Sequence, residues 1–241
     1  MKANTSHLCR RIILVQGHTG SLIFGQVEGI PFVCAKGRVH PYEGISEARC
    51  SLPIRIMKLL GIRILLLTNA SGGLRHGLHS GDILMIRDHV SLSDMTGRSA
   101  LWGPNDERWG PRFPAIHNIY DKELRGLIRQ ASEKLGLGSR LSEGIYCYSP
   151  GPSYNTAVEV RFMRDCLRTD VVGMSTAYEA VTAVHCGLRV ACLSLVTEVC
   201  LADENDEESV SHEAVLAASQ ASADHMKSLV SLFIQSTNES A

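Results

Sequence analysis

The sequence predicts an α/β fold, a single domain with a mixed, mostly parallel central sheet flanked by helices. Three observations predict it. Short apolar runs alternate with helix-patterned segments along the chain. Runs such as "IRILLLTN" (62–69) and "LRVACLSLVTE" (188–198) have the composition of strands covered on both faces. No linker or internal repeat interrupts the alternation. The 241 residues, 44% hydrophobic and 20% charged, suffice for one large core.

The elements follow in order. "SLIFGQVEGIPFVCAKG" (21–37) reads as two short strands about a Glu-Gly turn, a hairpin that makes the sheet mixed. "EARCSLPIRIMKLLG" (47–61) is helical in pattern, with Pro53 as a kink or a fresh start and Gly61 as its stop. Strands follow at 62–69 and at "GDILMIRDHVSLS" (81–93). Residues 94–118, rich in Gly, Pro and charge, read as a long functional loop. "DKELRGLIRQASEKLGLG" (121–138) is an amphipathic helix closed by Gly. "EGIYCYSPGPSYN" (143–155) is a strand and a turn, followed by a helix over "TAVEVRFMRDCLR". "DVVGMST" (170–176) is a short strand, "AYEAVTAVHCG" a helix, and 188–198 a buried strand. "DENDEE" (203–208) is a solvated acidic loop, and the last helix runs from near Ser209 to about Gln235.

Several function classes are excluded. A formal net charge of −1 carries no basic excess for nucleic acid, which leaves small molecules as partners. No apolar run approaches membrane-spanning length, so no membrane partner is expected. Only four apolar residues follow Arg10 and Arg11, too few for a signal-peptide core. The eight cysteines contain no CxxC pair and read as buried free thiols of a reducing cytoplasm. Neither GxGxxG nor a P-loop is present, nor HExxH, another metal-ligand cluster, or a GxSxG elbow.

What remains is an anion site with a hydrogen-bonding slot. Ligands of such sheets gather beyond the carboxyl ends of the strands. "LLLTNASGG", "IYCYSPGPSYN" and "ACLSLVTE" end in small polar groups, and "DVVGMST" ends in Met174 and Ser175. In "KGRVHPYEG" (36–44), Arg38, His40 and Tyr42 alternate, so an extended segment points all three to one side. The Arg38 fork and His40 suit a phosphate, and Tyr42 reaches the next part of the same ligand.

"KGRVHPYEG", "TNASGGL", "GPNDERWGPRFPA", "GPSYNT" and "VGMSTAYEA", in this order, resemble the trimeric, low-molecular-mass purine nucleoside phosphorylases. The resemblance runs over residues 17–237 without a large gap, within a domain taken as 17–241. It implies phosphorolysis of a purine nucleoside to free base and ribose 1-phosphate. It implies no metal or organic cofactor, and a homotrimer. By resemblance, His18, Arg38, His40, Ser175 and the backbone at Ala70 match the phosphate site. Tyr42 and Met174 match ribose contacts, and His212 the histidine that meets the ribose 5′-hydroxyl. Trp109 stands where the family places an aromatic residue in the neighbouring subunit's site. Tyr154 matches an aromatic that packs on the base. Asn155, Thr197 and Glu198 complete the base site, and His40, Asn155, Glu198 and His212 are the catalytic candidates. Such catalysis holds phosphate beneath an oxocarbenium-like sugar and gives the leaving base a proton or a strong hydrogen bond. The "TNASGG" turn is expected to hold ligand with backbone groups, between phosphate and base.

Two departures from the family stand out. The family has Glu after the aromatic of the "GPS" segment and Asn after "SLxT"; this chain has Asn155 and Glu198. A Glu198 carboxylate facing O6 and N7 of a 6-oxopurine leaves acceptors opposed, at a cost of a few kcal/mol. An amino group there reverses the sign, and adenine N1 can accept from the Asn155 amide. Cytosine offers a similar edge, and a protonated Glu198 can act as acid toward N7. Specificity shifted toward adenine or cytosine is therefore expected. Secondly, residues 1–16 hold no counterpart of the family's Gly-Ser-Gly-type phosphate loop. Poor phosphate binding is expected, and a non-catalytic nucleoside-binding isoform or a nucleoside hydrolase are the alternatives.

Overall fold

The computed structural model describes residues 2–3, 20–202, 215, 217–218, 220 and 222–237. β1 (Lys2–Ala3), β2 (Ser21–Val27) and β3 (Ile30–Lys36) form one antiparallel sheet, and β4 to β8 form another. Glu28 and Gly29, both at positive φ, make the tight turn between β2 and β3, where glycine carries no steric penalty. The hairpin is as expected, but it pairs with β1 and stays outside the central sheet.

The central sheet comprises β4 (Ile64–Gly73), β5 (Ile83–Ser91), β6 (Leu141–Tyr148), β7 (Val171–Gly173) and β8 (Arg189–Val199). It closes in the order β4-β7-β6-β5-β8. β4–β8, β5–β6 and β6–β7 are parallel, whereas β4–β7 and β5–β8 are antiparallel. The mixture thus arises inside the barrel and not from the hairpin. The apolar runs are continuous because alternate residues enter two cores. Leu84, Ile86, Val190 and Cys192 join helices Leu52–Leu59 and Ala177–His185 on one side. Ile83, Met85, Ala191, Leu193 and Leu195 pack with Leu124, Ile128, Leu229 and Phe233 of helices Lys122–Lys134 and Ala223–Thr237 on the other. Helices on both faces of a mixed sheet are what the alternation predicts.

Several boundaries differ from the sequence reading. The helix expected over 47–61 is split: Glu47–Cys50 ends at Ser51, and Pro53 opens Leu52–Leu59, where its missing N–H costs nothing. Asp121 caps Lys122–Lys134 by accepting from the Glu123 and Leu124 amides. The helix after "GPSYN" is regular only over Ala157–Arg161 and widens into a π-helical turn at Phe162–Cys166. The expected start of the last helix and the acidic loop 203–208 lie outside the described residues. The largest difference is "TNASGG", which is the second half of β4 and no turn. Asn69, Ala70 and Ser71 pair with Ser194, Leu195 and Val196 of β8, and a bulge follows before Gly72 pairs with Glu198. A parallel neighbour supplies the hydrogen bonds that a turn would otherwise have to find.

Candidate functional site

Arg38 anchors the site. Its Nε donates to Glu179 Oε1 at 2.9 Å, and Nη1 donates to the Thr68 carbonyl at 3.2 Å. Burial opposes the positive charge, and the adjacent Glu179 carboxylate outweighs it, so the guanidinium titrates above its ordinary range. The Thr68 carbonyl faces away from β8, because strand residues present N–H and C=O to one edge and alternate. Ala70, two residues on, presents its N–H to that same edge. Thr68 and Ala70 are exposed while Leu67 and Ser71 are buried, so this length of β4 opens outward.

Ser175 reaches the same place from β7. The Ala177 amide donates to the Ser175 carbonyl at 2.9 Å, a γ-turn centred on Thr176 with φ of 77° and ψ of −53°. That conformation is strained for a β-branched residue and persists because buried contacts hold it. Asn69 Nδ2 donates to Thr176 Oγ1 at 2.8 Å, and Ser175 Oγ lies 3.1 Å from that oxygen. Ser194 Oγ donates to Asn69 Oδ1 at 2.6 Å. This buried chain ties β8 and β4 to the start of helix Ala177–His185. Ser175, Arg38 and the Ala70 edge converge there, with the positive end of the helix behind them. The arrangement suits an oxyanion.

His40 and Tyr42 continue the site. Val39 accepts from the Tyr178 hydroxyl at 3.2 Å, which pins the segment to the helix carrying Glu179. The His40 ring is buried, lies 3.5 Å from Glu43 Oε1, and stacks on Tyr42 at 4.8 Å between centroids. Burial, with Glu43 adding to it, pushes the Tyr42 phenol up to about 12. An open cavity of about 560 Å³ lies against Tyr42, lined also by Ser46, Glu47, Arg98, Trp102 and Gly151. It shares Tyr42 with the anion cluster and includes neither Arg38 nor Ser175. Met174 backs onto it through Gly151, where an added Cβ would overlap the Met174 sulfur.

The base-site candidates stand at the ends of β8 and β6. Glu198 is half-buried, no described side chain donates to it, and burial lifts its carboxyl to about 7. It packs beside Gly72, where an added Cβ would overlap Cys200 Sγ and meet Glu198 Oε1 at 3.9 Å. Thr197 is buried and donates to the Ser71 carbonyl at 3.3 Å. Asn155 Nδ2 lies 3.3 Å from both Ser149 Oγ and Glu159 Oε2, and Ser149 is held to Gly173 of β7 through its amide. Tyr154 is exposed. Asn155 and Glu198 therefore flank the ends of β7 and β4 without touching each other.

Trp109 lies elsewhere on its own chain. Its ring sits 5.0 Å from the Arg55 guanidinium, and Arg55 reaches Cys186 at the far end of helix Ala177–His185. One helix length, about 13 Å, separates that end from Ser175. His18 and His212 lie outside the described residues. No cluster of three metal-ligating side chains occurs among the described residues, and no described helix is long and apolar enough to cross a membrane. The seven described cysteines are free. Sequence reasoning missed Glu179, Asn69 and Thr176. An acidic residue in the first turn of a predicted helix, four after Ser175, was the available signal for Glu179.

The family model for the phosphorylase superfamily matches residues 6–235. The purine nucleoside phosphorylase of Rattus norvegicus is 43% identical over 222 residues, covering 92% of this chain and 76% of that protein. The purine nucleoside phosphorylase of Schistosoma mansoni in complex with inosine superposes with a TM-score of 0.88 at 43% identity, over 91% of this chain and 77% of that one. Isoform 2 from Schistosoma mansoni, in complex with cytosine and ribose-1-phosphate, superposes at 0.87 and 39% identity, over 92% and 78%.

Proposed function

We infer the reaction from the family, because this chain belongs to the phosphorylase superfamily and, within it, to the purine nucleoside phosphorylases. It is a pentosyltransferase that cleaves a purine nucleoside with phosphate. Inorganic phosphate is a substrate, and no further cofactor enters the reading.

The observation that carries the site assignment is the Arg38–Thr68–Glu179 cluster beside Ser175, on the open edge of β4. In our reading Arg38, His40, Ser175 and the Ala70 amide hold phosphate, with His18 as a proposed further contact, and His212 is proposed to meet the ribose 5′-hydroxyl. Tyr42 and Met174 hold the ribose between this cluster and the base. Trp109, remote from its own Ser175, serves the site of a second copy in a homotrimer. The phosphate attacks the anomeric carbon as the glycosidic bond lengthens, and negative charge develops on the base.

The base preferred is an amino-bearing one, adenine or cytosine. No described side chain donates to Glu198, so its carboxylate is available to an exocyclic amino group, and the Asn155 amide, which here donates to Ser149 Oγ and Glu159 Oε2 at 3.3 Å, would turn one N–H to the adjacent ring nitrogen. One related structure is in complex with inosine and another with cytosine and ribose-1-phosphate, a precedent that supports testing both kinds of edge. Steady-state kinetics on inosine, adenosine and cytidine, with and without phosphate, tests both levels. Phosphate-dependent cleavage with adenosine or cytidine preferred supports the whole reading. Preference for inosine by orders of magnitude removes the specificity claim, and cleavage that ignores phosphate removes the reaction.

A further inference from the structure

We propose that Glu179 is a positioning residue for phosphate, acting through Arg38. The inference deepens the phosphate-site reading and rests on it. Glu179 is 6% exposed, and Arg38 Nε is its ligand at 2.9 Å. Together with the Thr68 carbonyl on Nη1, this bond fixes the guanidinium plane from two directions. Glu179 stands in the first turn of helix Ala177–His185, and side chains of a helix lean toward its N-terminus. The carboxylate is thereby aimed back toward Ser175. The same short stretch of chain, 175–179, thus carries one proposed phosphate donor and the clamp on another. Tyr178, between them, fastens Val39 next to Arg38. The second carboxylate oxygen, Oε2, is buried without a hydrogen-bond partner among the described residues, so it adds desolvation cost and no structural bond.

The test is a set of four variants, Glu179→Ala, Glu179→Gln, Arg38→Ala and the Arg38→Ala/Glu179→Ala pair. Measured are KM for phosphate, KM for nucleoside, kcat, and the melting shift caused by inorganic phosphate. Glu179→Ala is expected to raise KM for phosphate by about 10-fold or more, the loss of one charge-assisted hydrogen bond, with KM for nucleoside little changed. In the Arg38→Ala background the same change is expected to add nothing. Glu179→Gln, whose amide oxygen still accepts from Nε, is expected to recover most of the phosphate affinity. A phosphate KM unchanged in Glu179→Ala, or an undiminished effect without Arg38, overturns the proposal. If Glu179→Ala does not fold, a folded Glu179→Gln that binds phosphate as poorly as Arg38→Ala overturns it equally. The melting shift reads phosphate binding without turnover. A wild-type chain that binds phosphate yet cleaves nothing therefore sinks the reaction and leaves the Glu179 comparison readable. A wild type blind to phosphate ends both.

Discussion

Replacing Glu198 by glutamine removes an ionisable group from a half-buried place while keeping its shape. Burial lifts the Glu198 carboxyl from 4.5 to about 7. Below pH 4.5 both folded and unfolded chains hold the proton, and the residue has no effect on stability. As pH rises from there, the unfolded chain ionises while the folded one stays neutral, so stability falls. Above about pH 7 both are ionised and the penalty is constant. A shift of that size corresponds to at most about 3 kcal/mol. Solvent reaches part of the group, and screening reduces the figure to about 1–2 kcal/mol. Glu198→Gln is therefore expected to match the wild type at pH 4.5 and to exceed it at pH 8.5, with a melting gain of about 2–8 °C for a chain this long. Thermal melts at the two pH values measure it. The preference for adenosine over inosine is also expected to rise through pH 7 in the wild type, as the carboxyl loses the proton it could offer to O6 or N7, and to be flat in the variant. Equal stability differences at both pH values, or a variant that weakens as pH rises, would refute the burial argument.

Gly72→Ala is expected to cost about 1–3 kcal/mol, because the new methyl occupies the space of Cys200 Sγ beside Glu198. Cys200→Ala in the same chain should return most of that loss, and urea melts of the three variants measure the coupling. Thr176→Val keeps the branched shape but removes the acceptor of Asn69 and the partner of Ser175. Its expected cost is about 1–2 kcal/mol for the half-buried Asn69 amide deprived of that acceptor, with weaker phosphate binding by calorimetry. Wild-type phosphate affinity in a folded Thr176→Val would show that the γ-turn is not what aims Ser175.

The apolar runs made the strands of the barrel legible. Ile83 to Ile86 and Val190 to Leu193 are apolar at every other position on both faces, and only a strand between two cores demands that. The amphipathic period over 121–138 and its closing glycine marked the helix Lys122–Lys134 in the same local way. Local chemistry also singled out Arg38, His40 and Tyr42, since alternation along an extended segment is a property of neighbours in sequence.

"TNASGG" shows the limit. Its residues favour a turn, and only β8, more than a hundred residues away, turns them into a strand by pairing with their backbone. Glu179 shows it again, because it becomes part of the site through a contact with Arg38 across 141 positions. The sequence by itself determined the fold class and the family and nominated residues for the site, because periodicity and motif order are local properties of the chain. The tertiary structure decided that the sheet closes on itself, that Thr176 is forced to positive φ, and that Glu198 sits where its proton is held to about pH 7. Each of those depends on burial and on partners distant in the chain, and no local pattern encodes which distant strand or carboxylate will arrive.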